Sequence, residues 1–473
     1  MHSPHSDLTP STAYVMAPAS KSVSHRYIMA AALAEGVSIV RHTLESHDLE
    51  RTRGILQLAG ARLEALPESQ PESGAWRIIG MNGKPQGGAE TAPLSCDVGE
   101  SGTTCRLLTA VLAAGKGVFR IHGQGRMHER PIGELTDALC ALGADITFEG
   151  KAACPPLLLR ANTLTPARCG GDVRLSMDIS SQYFSGMLLA APMACSPLAI
   201  TLCGSKAVSW PYVGLTLQCL TDFGIHFTIY VRPDADAPWQ LLPTGEWRQL
   251  HEAKPDCLRV QVFPGPYRAG HHNVEGDWSG ASYLLASGAV GQRPVCVRGL
   301  RSDSLQGDRA ILDILQKMGT RIHVQADAIT VYPSPLHGVE LDMGACPDLV
   351  PTVAVLASFA RGVTRIGNVA HLRYKESDRI DAPARELAKV GVCVEQCADG
   401  LRIKGLAGDG NGQGHPCLPD GVQLSAHNDH RIAMSLALLD RGQPGLHVHD
   451  RLDDATVVRK SFPHFWNVWE QMA

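Results

Sequence analysis

An internal repeat constrains the fold of this chain more than any other feature of its 473 residues. A run of small apolar residues typical of a helix, a Gly or Pro stop and a short strand pattern occur six times in the same order. The six copies are MAAALAEGVSIVRH from Met29, LTAVLAAGKGVFRIHG from Leu108, LLAAPMACSPLAITLCG from Leu188, LLASGAVGQRPVCVRGL from Leu284, VAVLASFARGVTRIGNV from Val353 and MSLALLDRGQPGLHVHD from Met434.

A second pattern follows five of these copies, in which a leucine-containing segment ends at a glycine and continues into another strand pattern. A helix that ends at a C-cap glycine explains this form. The repeats predict an α/β chain of six βαβαββ-like units of about 75 residues each. The five segments are ILQLAGARLE from Ile55, LCALGADITF from Leu139, LTDFGIHFTI from Leu220, LQKMGTRIHV from Leu315 and LAKVGVCVEQ from Leu387.

The widest gap in the repeat lies between the third and fourth units. It holds a polar, Pro-rich stretch over residues 231–256, which is predicted to be an insertion in a hairpin. Two domains of three units each are the natural grouping, with the Ala-rich helices packed inside each domain and the sheets outside. A Gly-rich stretch over residues 405–421 is predicted to be a mobile loop.

Composition excludes several classes of protein. Lys plus Arg total 43 and Asp plus Glu total 47, with no basic stripe, so nucleic-acid binding is not expected. No apolar run reaches the roughly 18 residues of a membrane span, and no signal-peptide pattern opens the sequence, so a cytoplasmic location is expected. The 14 cysteines are scattered singly and are predicted to be reduced rather than metal ligands.

Polar clusters, most of them basic, precede the predicted helices of the first half. Free N–H groups and cations at the start of a helix form an anion site, although each cluster alone is equally explained as a capped helix. The basic clusters contain Lys21, Ser22, Ser24 and Arg26, then Gly102 with Arg106, then Arg126, Glu129 and Arg130. The neutral clusters contain Ser180, Ser181 and Gln182, then Ser209 and Tyr212.

The second half places acids beside bases. Taken alone, residues 373–379 are best explained as a salt-bridge ladder on a helix. Because at least six clusters precede repeat helices, they predict one shared cleft for substrates with several negative charges. The acidic and basic groups are Asp348, then Arg373, Lys375, Glu376, Asp378 and Arg379, then Asp429, His430 and Arg431, and finally Lys460.

These clusters make the sequence resemble the 5-enolpyruvylshikimate-3-phosphate synthase family from about Met16 to Trp466. The matching segments, in order, are SKSVSHR, GRMHERPIG, ISSQYF, VEGDWSGASY, PTVAVLASFARG, LRYKESDR, NDHRIAMSLAL and KSFPHFW. The resemblance implies the two-domain enolpyruvyl transferase fold. It implies that residues 1–19 and 275–473 form one domain and residues 20–274 the other.

The resemblance also implies a site and a reaction, in which phosphoenolpyruvate donates its enolpyruvyl group to the 5-hydroxyl of 3-phosphoshikimate. Neither a metal nor an organic cofactor is implied, nor a nucleic-acid or membrane partner, and the chain is expected to be a monomer. The residues implied to bind 3-phosphoshikimate are Lys21, Ser22, Arg26, Ser180, Ser181, Gln182, Ser209, Tyr212, Asp348 and Lys375. Those implied to bind phosphoenolpyruvate are Lys21, Gly102, Arg126, Gln182, Arg379, Arg431 and Lys460.

Four residues are implied to take part in catalysis. Asp348 is expected to be the base for the hydroxyl, working with Lys375, and Glu376 the acid for the methylene carbon. Lys21 and the arginines are expected to neutralise carboxylate and phosphate, which should be the largest catalytic contribution.

The sequence departs from the family pattern at a few positions. In the segment Glu100 to Leu107, Glu100 stands where the family usually has Asn. It places a carboxylate near the residues implied to bind phosphoenolpyruvate. Trp210 stands where Lys or Arg often occurs, and His371 replaces an Asn. Phosphoenolpyruvate affinity and inhibitor sensitivity therefore stay open.

Two alternatives remain beside this interpretation. The first is the sister enzyme that transfers enolpyruvyl to UDP-N-acetylglucosamine, although Cys105 lies in a different segment from that enzyme's reactive cysteine loop. The second is a non-catalytic descendant that binds anions, against which the joint presence of Asp348, Lys375 and Glu376 argues.

Overall fold

A computed structural model describes residues 11–67, 73–408, 414–443 and 445–472. Residues 1–10 of the predicted first domain and residues 409–413 of the predicted mobile loop lie outside the described residues. The strands are β1 (Ala13–Met16), β2 (Val37–Leu44), β3 (Arg62–Leu66), β4 (Ser73–Ile79), β5 (Leu94–Asp97), β6 (Lys116–His122), β7 (Asp145–Phe148), β8 (Leu157–Asn162), β9 (Asp172–Met177), β10 (Leu198–Ala207), β11 (Phe227–Val231), β12 (Gln240–Leu241), β13 (Leu258–Val262), β14 (His271–Asn273), β15 (Val295–Arg298), β16 (Ile322–Val324), β17 (Ala328–Val331), β18 (Glu340–Asp342), β19 (Val363–Gly367), β20 (Cys393–Cys397) and β21 (Gly400–Lys404).

Most of the described helices lie between strands, and four follow the last strand. The helices are α1 (Lys21–Leu33), α2 (His47–Leu58), α3 (Gly102–Ala113), α4 (Gly133–Ala141), α5 (Ser181–Ala190), α6 (Pro211–Asp222), α7 (Trp278–Val290), α8 (Ile311–Lys317), α9 (Val350–Ser358), α10 (Asp381–Lys389), α11 (His430–Leu436), α12 (Leu439–Gly442), α13 (Val448–Arg451) and α14 (Phe465–Gln471). None of them, within the described residues, has the length and apolar character needed to cross a bilayer.

The strands form five sheets that share one plan. Each contains a parallel pair and an antiparallel hairpin, as the repeats require. Three sheets belong to the first half of the chain: β14-β2-β4-β3, β5-β6-β8-β7 and β12-β11-β13-β10-β9. The other two are β1-β15-β17-β16 and β18-β19-β21-β20.

Two parallel pairs join segments that are far apart in the sequence. Strand β1 pairs with β15, and β14 pairs with β2, so the chain crosses between its two halves twice. The crossings lie side by side, because the Ser20 N–H donates to the Glu275 carbonyl over 2.8 Å.

The core is divided into two hydrophobic clusters. One is built from apolar residues between Ala19 and Val274, and the other from Ala13, Val15 and residues between Trp278 and Met472. Helices α1, α3, α5, α7, α9 and α11 are buried on nearly every residue, as expected for helices packed on all sides. The predicted domain boundaries at residues 19/20 and 274/275 stay a prediction.

The five predicted C-cap glycines are confirmed. Each glycine lies between a helix and a strand. Each has a positive φ, from 72° at Gly224 to 119° at Gly60. Only glycine enters this left-handed region without steric strain, so the sequence pattern reflects a backbone requirement.

The prediction of a strand after the sixth small-residue helix is wrong. Residues Val448–Arg451 form helix α13, and only an isolated parallel bridge joins Leu424 to Leu452. Every other unit continues into an antiparallel hairpin that completes its sheet, whereas here the chain continues into α14. Without a hairpin partner, a short strand has too few ladder hydrogen bonds to persist.

The insertion over residues 231–256 does lie inside a hairpin. It leaves β11, adds the short strand β12, and returns to β13, which is antiparallel to β11. Its Leu250 carbonyl accepts a hydrogen bond of 2.8 Å from the Trp210 indole, and Trp210 is buried. The departure at Trp210 is therefore explained by packing beneath the insertion.

Candidate active site

A cavity lies between the two halves of the molecule, and side chains from both halves form its walls. Every predicted site residue except Gly102, Arg126 and Lys460 contributes to its lining. The described lining residues are Lys21, Ser22, Arg26, Thr103, Arg130, Ile179, Ser180, Ser181, Gln182, Ser209, Tyr212, Asp348, Lys375, Glu376, Arg379, His430 and Arg431.

The first-half wall is built at the starts of helices. Helix α1 begins at Lys21, and α5 begins at Ser181, where the Ser180 hydroxyl caps the helix by accepting from the Gln182 N–H. Helix α6 follows Ser209, whose positive φ of 56° turns the chain into the helix. Helix starts present N–H groups and partial positive charge, which favours anions in the cavity.

Arg26 and Gln182 are held rigidly within this wall. The Arg26 guanidinium donates to the Thr216 hydroxyl at 2.8 Å and to the Tyr212 carbonyl at 2.9 Å, and burial lowers its pKa to about 10. The Gln182 side chain accepts from Arg106 and donates to Thr103, both at 2.9 Å. These bonds fix the wall before any ligand arrives.

Asp348 connects the two walls. Its carboxylate accepts from Tyr212 Oη at 2.9 Å across the cavity, and from Arg379 at 2.8 Å and Arg431 at 2.7 Å on its own side. Burial by itself would raise the pKa of Asp348, but Arg431, Lys375 and Arg379 outweigh it and hold the pKa below its usual range. Asp348 is therefore an ionised carboxylate.

Arg379 is surrounded by three carboxylates. Its guanidinium donates to Asp429 at 2.7 Å, to Asp348 at 2.8 Å and to Glu376 at 2.8 Å, and the side chain is buried. Asp429 also caps α11 by accepting from the Arg431 N–H, so the helix start and the charge network share one carboxylate. Buried charges of this kind persist only when they are paired and hydrogen-bonded.

The remaining ionisable groups of the second-half wall are strongly perturbed. Burial lowers the pKa of Lys375, and burial with Lys375 nearby lowers the pKa of His371 to about 3. Burial raises the pKa of Glu376, but Arg379 and Arg130 reverse this and hold it well below its usual value. Within the described part of the chain, neither ring nitrogen of His371 has a hydrogen-bond partner.

The segment that contains these groups is not the helical ladder that its charge run indicated. Residues Ala370–Tyr374 form a single 3-10 turn, and α10 begins only at Asp381. Arg373 and Asp378 do pair at 3.0 Å, but Lys375 and Glu376 line the cavity. The non-helical backbone between 375 and 380 allows neighbouring residues to point in different directions.

Positive charge predominates in the cavity. Among the described lining residues, six are cationic and two are carboxylates, a formal excess of four positive charges. His430 is also buried, and burial lowers its pKa to about 3, so it adds no charge at neutral pH. In a chain of net charge −4, this concentration of cations produces a focused anion site.

Of the three predicted residues outside the lining, Gly102 and Arg126 lie beside lining residues and Lys460 lies beside Glu100. A Cβ at Gly102 would be 2.3 Å from an Arg130 nitrogen, so Gly102 makes room for that guanidinium. Arg126 donates across the interface to the Arg373 carbonyl at 3.3 Å. Lys460 Nζ pairs with Glu100, the departure noted in the sequence, at 2.8 Å.

Three polar residues line the cavity that were absent from the predicted set: Thr103, Arg130 and His430. Each is a direct or near neighbour of a predicted residue, in the clusters around Gly102, Arg126 and Arg431. The sequence clusters already contain Arg130 and His430, but a local pattern could not distinguish which members of each cluster face inward. No group of three or more His, Cys, Asp or Glu within the described ranges is arranged to hold a metal ion.

Comparisons with known proteins agree on one family. The family model described as EPSP synthase (3-phosphoshikimate 1-carboxyvinyltransferase) matches residues 7–235 and 252–469, with its gap inside the insertion. A relative of that enzyme name from Nitrosomonas europaea is 37% identical over 458 residues, which cover 96% of this chain and 94% of the relative. Another, from Thiobacillus denitrificans, is 37% identical over 466 residues, covering 97% and 96%.

Solved structures agree on the fold. The EPSP synthase from Acinetobacter baumannii has a TM-score of 0.68 at 24% identity, covering 98% of this chain and 97% of that one. The enolpyruvyl transferase NikO from Streptomyces tendae has a TM-score of 0.67 at 17% identity, covering 98% and 95%. The predicted two-domain enolpyruvyl transferase fold is confirmed. With its family model matched over nearly the whole length, this chain belongs to the EPSP synthase (3-phosphoshikimate 1-carboxyvinyltransferase) family.

Proposed function

We propose that this chain transfers the enolpyruvyl group of phosphoenolpyruvate to the 5-hydroxyl of 3-phosphoshikimate, and releases inorganic phosphate. The observation that carries the proposal is the cavity where helix starts of one half face Asp348, Lys375 and Glu376 of the other, with an excess of four positive charges. Each substrate carries a phosphate and a carboxylate, so this excess suits the pair together.

The product, 5-enolpyruvylshikimate 3-phosphate, belongs to the shikimate pathway, which supplies chorismate and the aromatic amino acids. The two small-molecule substrates are the proposed partners of a monomer in the cytoplasm. The reaction as proposed uses no metal and no organic cofactor, since the side chains themselves supply the charges and the protons.

Binding of 3-phosphoshikimate is assigned to the first-half wall, supplemented by Asp348 and Lys375. Hydroxyl donors at the start of α5 and the Lys21 ammonium suit a phosphate, because each can donate to its oxygens. The assigned residues are Lys21, Ser22, Arg26, Ser180, Ser181, Gln182, Ser209 and Tyr212. Arg26 stabilises the wall through its internal bonds and contributes its charge.

Phosphoenolpyruvate is assigned to the region between the walls. Arg379 and Arg431 suit its carboxylate, because a guanidinium matches a carboxylate with two parallel hydrogen bonds. Its phosphate is assigned to Lys21, Gly102, Arg126, Gln182 and Lys460. Because Gly102 has no side chain, the phosphate can approach the backbone closely beside Arg130.

Proton transfer follows from the charge network. Asp348 is the proposed base, since its neighbours keep it ionised. When Arg379 and Arg431 turn toward the substrate carboxylate, the cationic stabilisation of Asp348 weakens and its basicity rises. The Tyr212 hydroxyl, 2.9 Å from Asp348 across the cavity, then orients the carboxylate toward the 5-hydroxyl.

Glu376 is the proposed acid for the methylene carbon. Arg379 and Arg130 hold the pKa of Glu376 low, so Glu376 can hold a proton only after their contacts with it are broken. Binding of an anion to Arg379 provides that release. Burial lowers the pKa of Lys375, which lines the cavity and interacts electrostatically with both Asp348 and Glu376. Lys375 is therefore proposed to assist proton transfer by both carboxylates.

The test is release of inorganic phosphate from phosphoenolpyruvate with 3-phosphoshikimate as acceptor. A parallel reaction contains UDP-N-acetylglucosamine, the acceptor of the sister enzyme. We expect release with 3-phosphoshikimate alone, and mass spectrometry should find the enolpyruvyl product.

Release with UDP-N-acetylglucosamine alone would assign the chain to the sister activity instead. Absence of release from a folded sample that binds both shikimate-pathway substrates would contradict catalysis and favour an anion-binding role.

A further inference from the structure

Glu100 and Lys460 form an ion pair across the interface between the two halves. Lys460 Nζ donates to Glu100 Oε2 at 2.8 Å, to the Asn428 carbonyl at 2.8 Å and to the Asn428 side-chain oxygen at 3.0 Å. A lysine ammonium has three N–H donors. All three are therefore occupied, and an anion can bind Lys460 only by displacing one of these acceptors.

Glu100 is the acceptor whose displacement matters most. The Asn428 amide donates to both Glu100 oxygens, at 3.0 and 3.1 Å, so Lys460, Asn428 and Glu100 form a closed triangle. The two Asn428 acceptors are neutral and belong to the same half as Lys460. Glu100 alone carries a negative charge, which repels an incoming phosphate while it occupies the cation that would attract it.

The surrounding backbone accommodates the Glu100 carboxylate closely. A Cβ at Gly125 would be 2.5 Å from Glu100 Oε1, so the glycine leaves the space that this carboxylate fills. The Glu100 carbonyl accepts from Arg130 at 3.0 Å, and Arg130 lines the cavity. The ion pair thus lies at the edge of the cationic cavity, two residues before Gly102.

We propose that Glu100 is an internal competitor of the substrate phosphate: it holds Lys460 until phosphoenolpyruvate binds, and it thereby sets the affinity for that substrate. This inference deepens the proposed function and rests on the assignment of Lys460 to the phosphoenolpyruvate phosphate. A neutral amide at position 100 keeps the shape and one acceptor oxygen but removes the negative charge and the second acceptor, so it weakens the hold on Lys460.

The size of the effect follows from the exposure of the pair. The Lys460 and Glu100 side chains are 17% and 27% exposed, so water screens their interaction in part. For a pair of this kind we expect Glu100→Gln to raise phosphoenolpyruvate affinity about three- to fivefold.

The experiment compares the wild type with Glu100→Gln, and with Glu100→Asn as a second replacement in case the first disturbs folding. Glu149→Gln is the matched control, because Glu149, directly after β7, pairs with Arg120 of β6 at 2.9 Å within one half of the molecule. For each protein the measurements are the KM for phosphoenolpyruvate, the KM for 3-phosphoshikimate, kcat, and the inhibition constant of inorganic phosphate.

We expect the Glu100 variants to lower the KM for phosphoenolpyruvate and the phosphate inhibition constant together, about three- to fivefold. The KM for 3-phosphoshikimate should stay within twofold, and Glu149→Gln should change nothing. An unchanged or raised KM for phosphoenolpyruvate, or an equal shift in Glu149→Gln, would overturn the proposal.

Failure of the proposed function can be distinguished from failure of this inference. If the wild type has no transferase activity, calorimetric titration of inorganic phosphate into wild type and Glu100→Gln still tests the competition. Tighter phosphate binding by the variant supports the role of Glu100. Equal binding, or no binding by either protein, contradicts it.

Discussion

The two walls of the cavity use opposite electrostatic strategies. The described lining residues from the first half include cations, hydroxyls and an amide but no carboxylate, whereas those from the second half interleave Asp348 and Glu376 with Lys375, Arg379 and Arg431. In the first wall the serine hydroxyls can donate to an anion, while Lys21 pairs with Asp48, outside the lining, at 2.5 Å. In the second wall the arginines already donate to carboxylates, so a ligand must rearrange them.

This difference separates binding from chemistry. Hydroxyl donors that bind a ligand without exchanging charged partners contribute to ground-state affinity, whereas a charge network that changes partners can shift pKa values during the reaction. Substitutions in the first wall should therefore act mainly on KM, and substitutions in the second wall mainly on kcat.

The largest expected effect is that of Asp348→Asn in the second wall. The amide cannot act as the base, and the rate of phosphate release should fall about 10³-fold. The thermal midpoint and the binding of 3-phosphoshikimate should be measured alongside, to separate lost chemistry from lost structure. A fall of less than tenfold in kcat would contradict the role assigned to Asp348.

Ser181→Ala tests the first wall. Loss of a hydroxyl that donates to a charged ligand should raise the KM for 3-phosphoshikimate about tenfold, since such a bond contributes about 1.5 kcal/mol. We expect kcat to stay within about threefold by the same argument. The control is Ser95→Ala, a serine that pairs with His122 on the surface. A loss confined to kcat would contradict the division between the walls.

Gly102→Ala tests the contact between the walls through Arg130. The new Cβ would be 2.3 Å from the guanidinium, which pairs with Glu376 at 3.7 Å, so Arg130 has to move. We expect the KM for phosphoenolpyruvate to rise about fivefold, or about 1 kcal/mol. Gly214→Ala, at a helical glycine with open space around it, is the matched control. Unchanged kinetics in Gly102→Ala would show that Arg130 moves without consequence.

The smallest effect concerns acid stability. The pKa of His371 is about 3 in the folded protein and about 6.5 when unfolded, so below neutral pH the unfolded chain binds a proton that the folded one does not. Stability is therefore lost as the pH falls from about 7 toward 3, and His371 contributes about 0.7 kcal/mol of this loss between pH 7 and 6.

In His371→Asn, the free energy of unfolding should fall by about 0.7 kcal/mol less between pH 7 and 6 than in the wild type. Urea unfolding at the two pH values measures this difference. His371→Gln is the second variant and should give the same shallower pH dependence, because it also removes the titrating imidazole. Equal slopes in wild type and His371→Asn would show that His371 is not kept neutral by its surroundings.

Prediction from sequence succeeded where local chemistry repeats. The five C-cap glycines, the small-residue helices and the hairpin around residues 231–256 follow from backbone strain and periodicity, which act within a few residues. The strand expected near Val448 failed because a strand needs partners, and those partners depend on what the rest of the chain provides.

The features of the site likewise divide into those that the sequence predicted and those that it did not. Sequence clusters indicated which segments approach the ligand, since helix starts that carry cations and hydroxyls favour anions. They did not reveal that Arg130 and His430 face the cavity, or that Arg379 is shared by three carboxylates. Two of these carboxylates, Asp348 and Asp429, lie 31 and 50 positions from Arg379 in the sequence, so only packing brings them to it.

By itself, the sequence determined the repeated unit, the positions of the turns and the chemical character of each cluster, because these depend on neighbouring residues. Tertiary structure decided which charges face one another: Tyr212 meets Asp348, and Glu100 meets Lys460, only when the two halves come together. The physical reason is that Coulomb and hydrogen-bond energies depend on distance in space and on burial, neither of which a local pattern encodes.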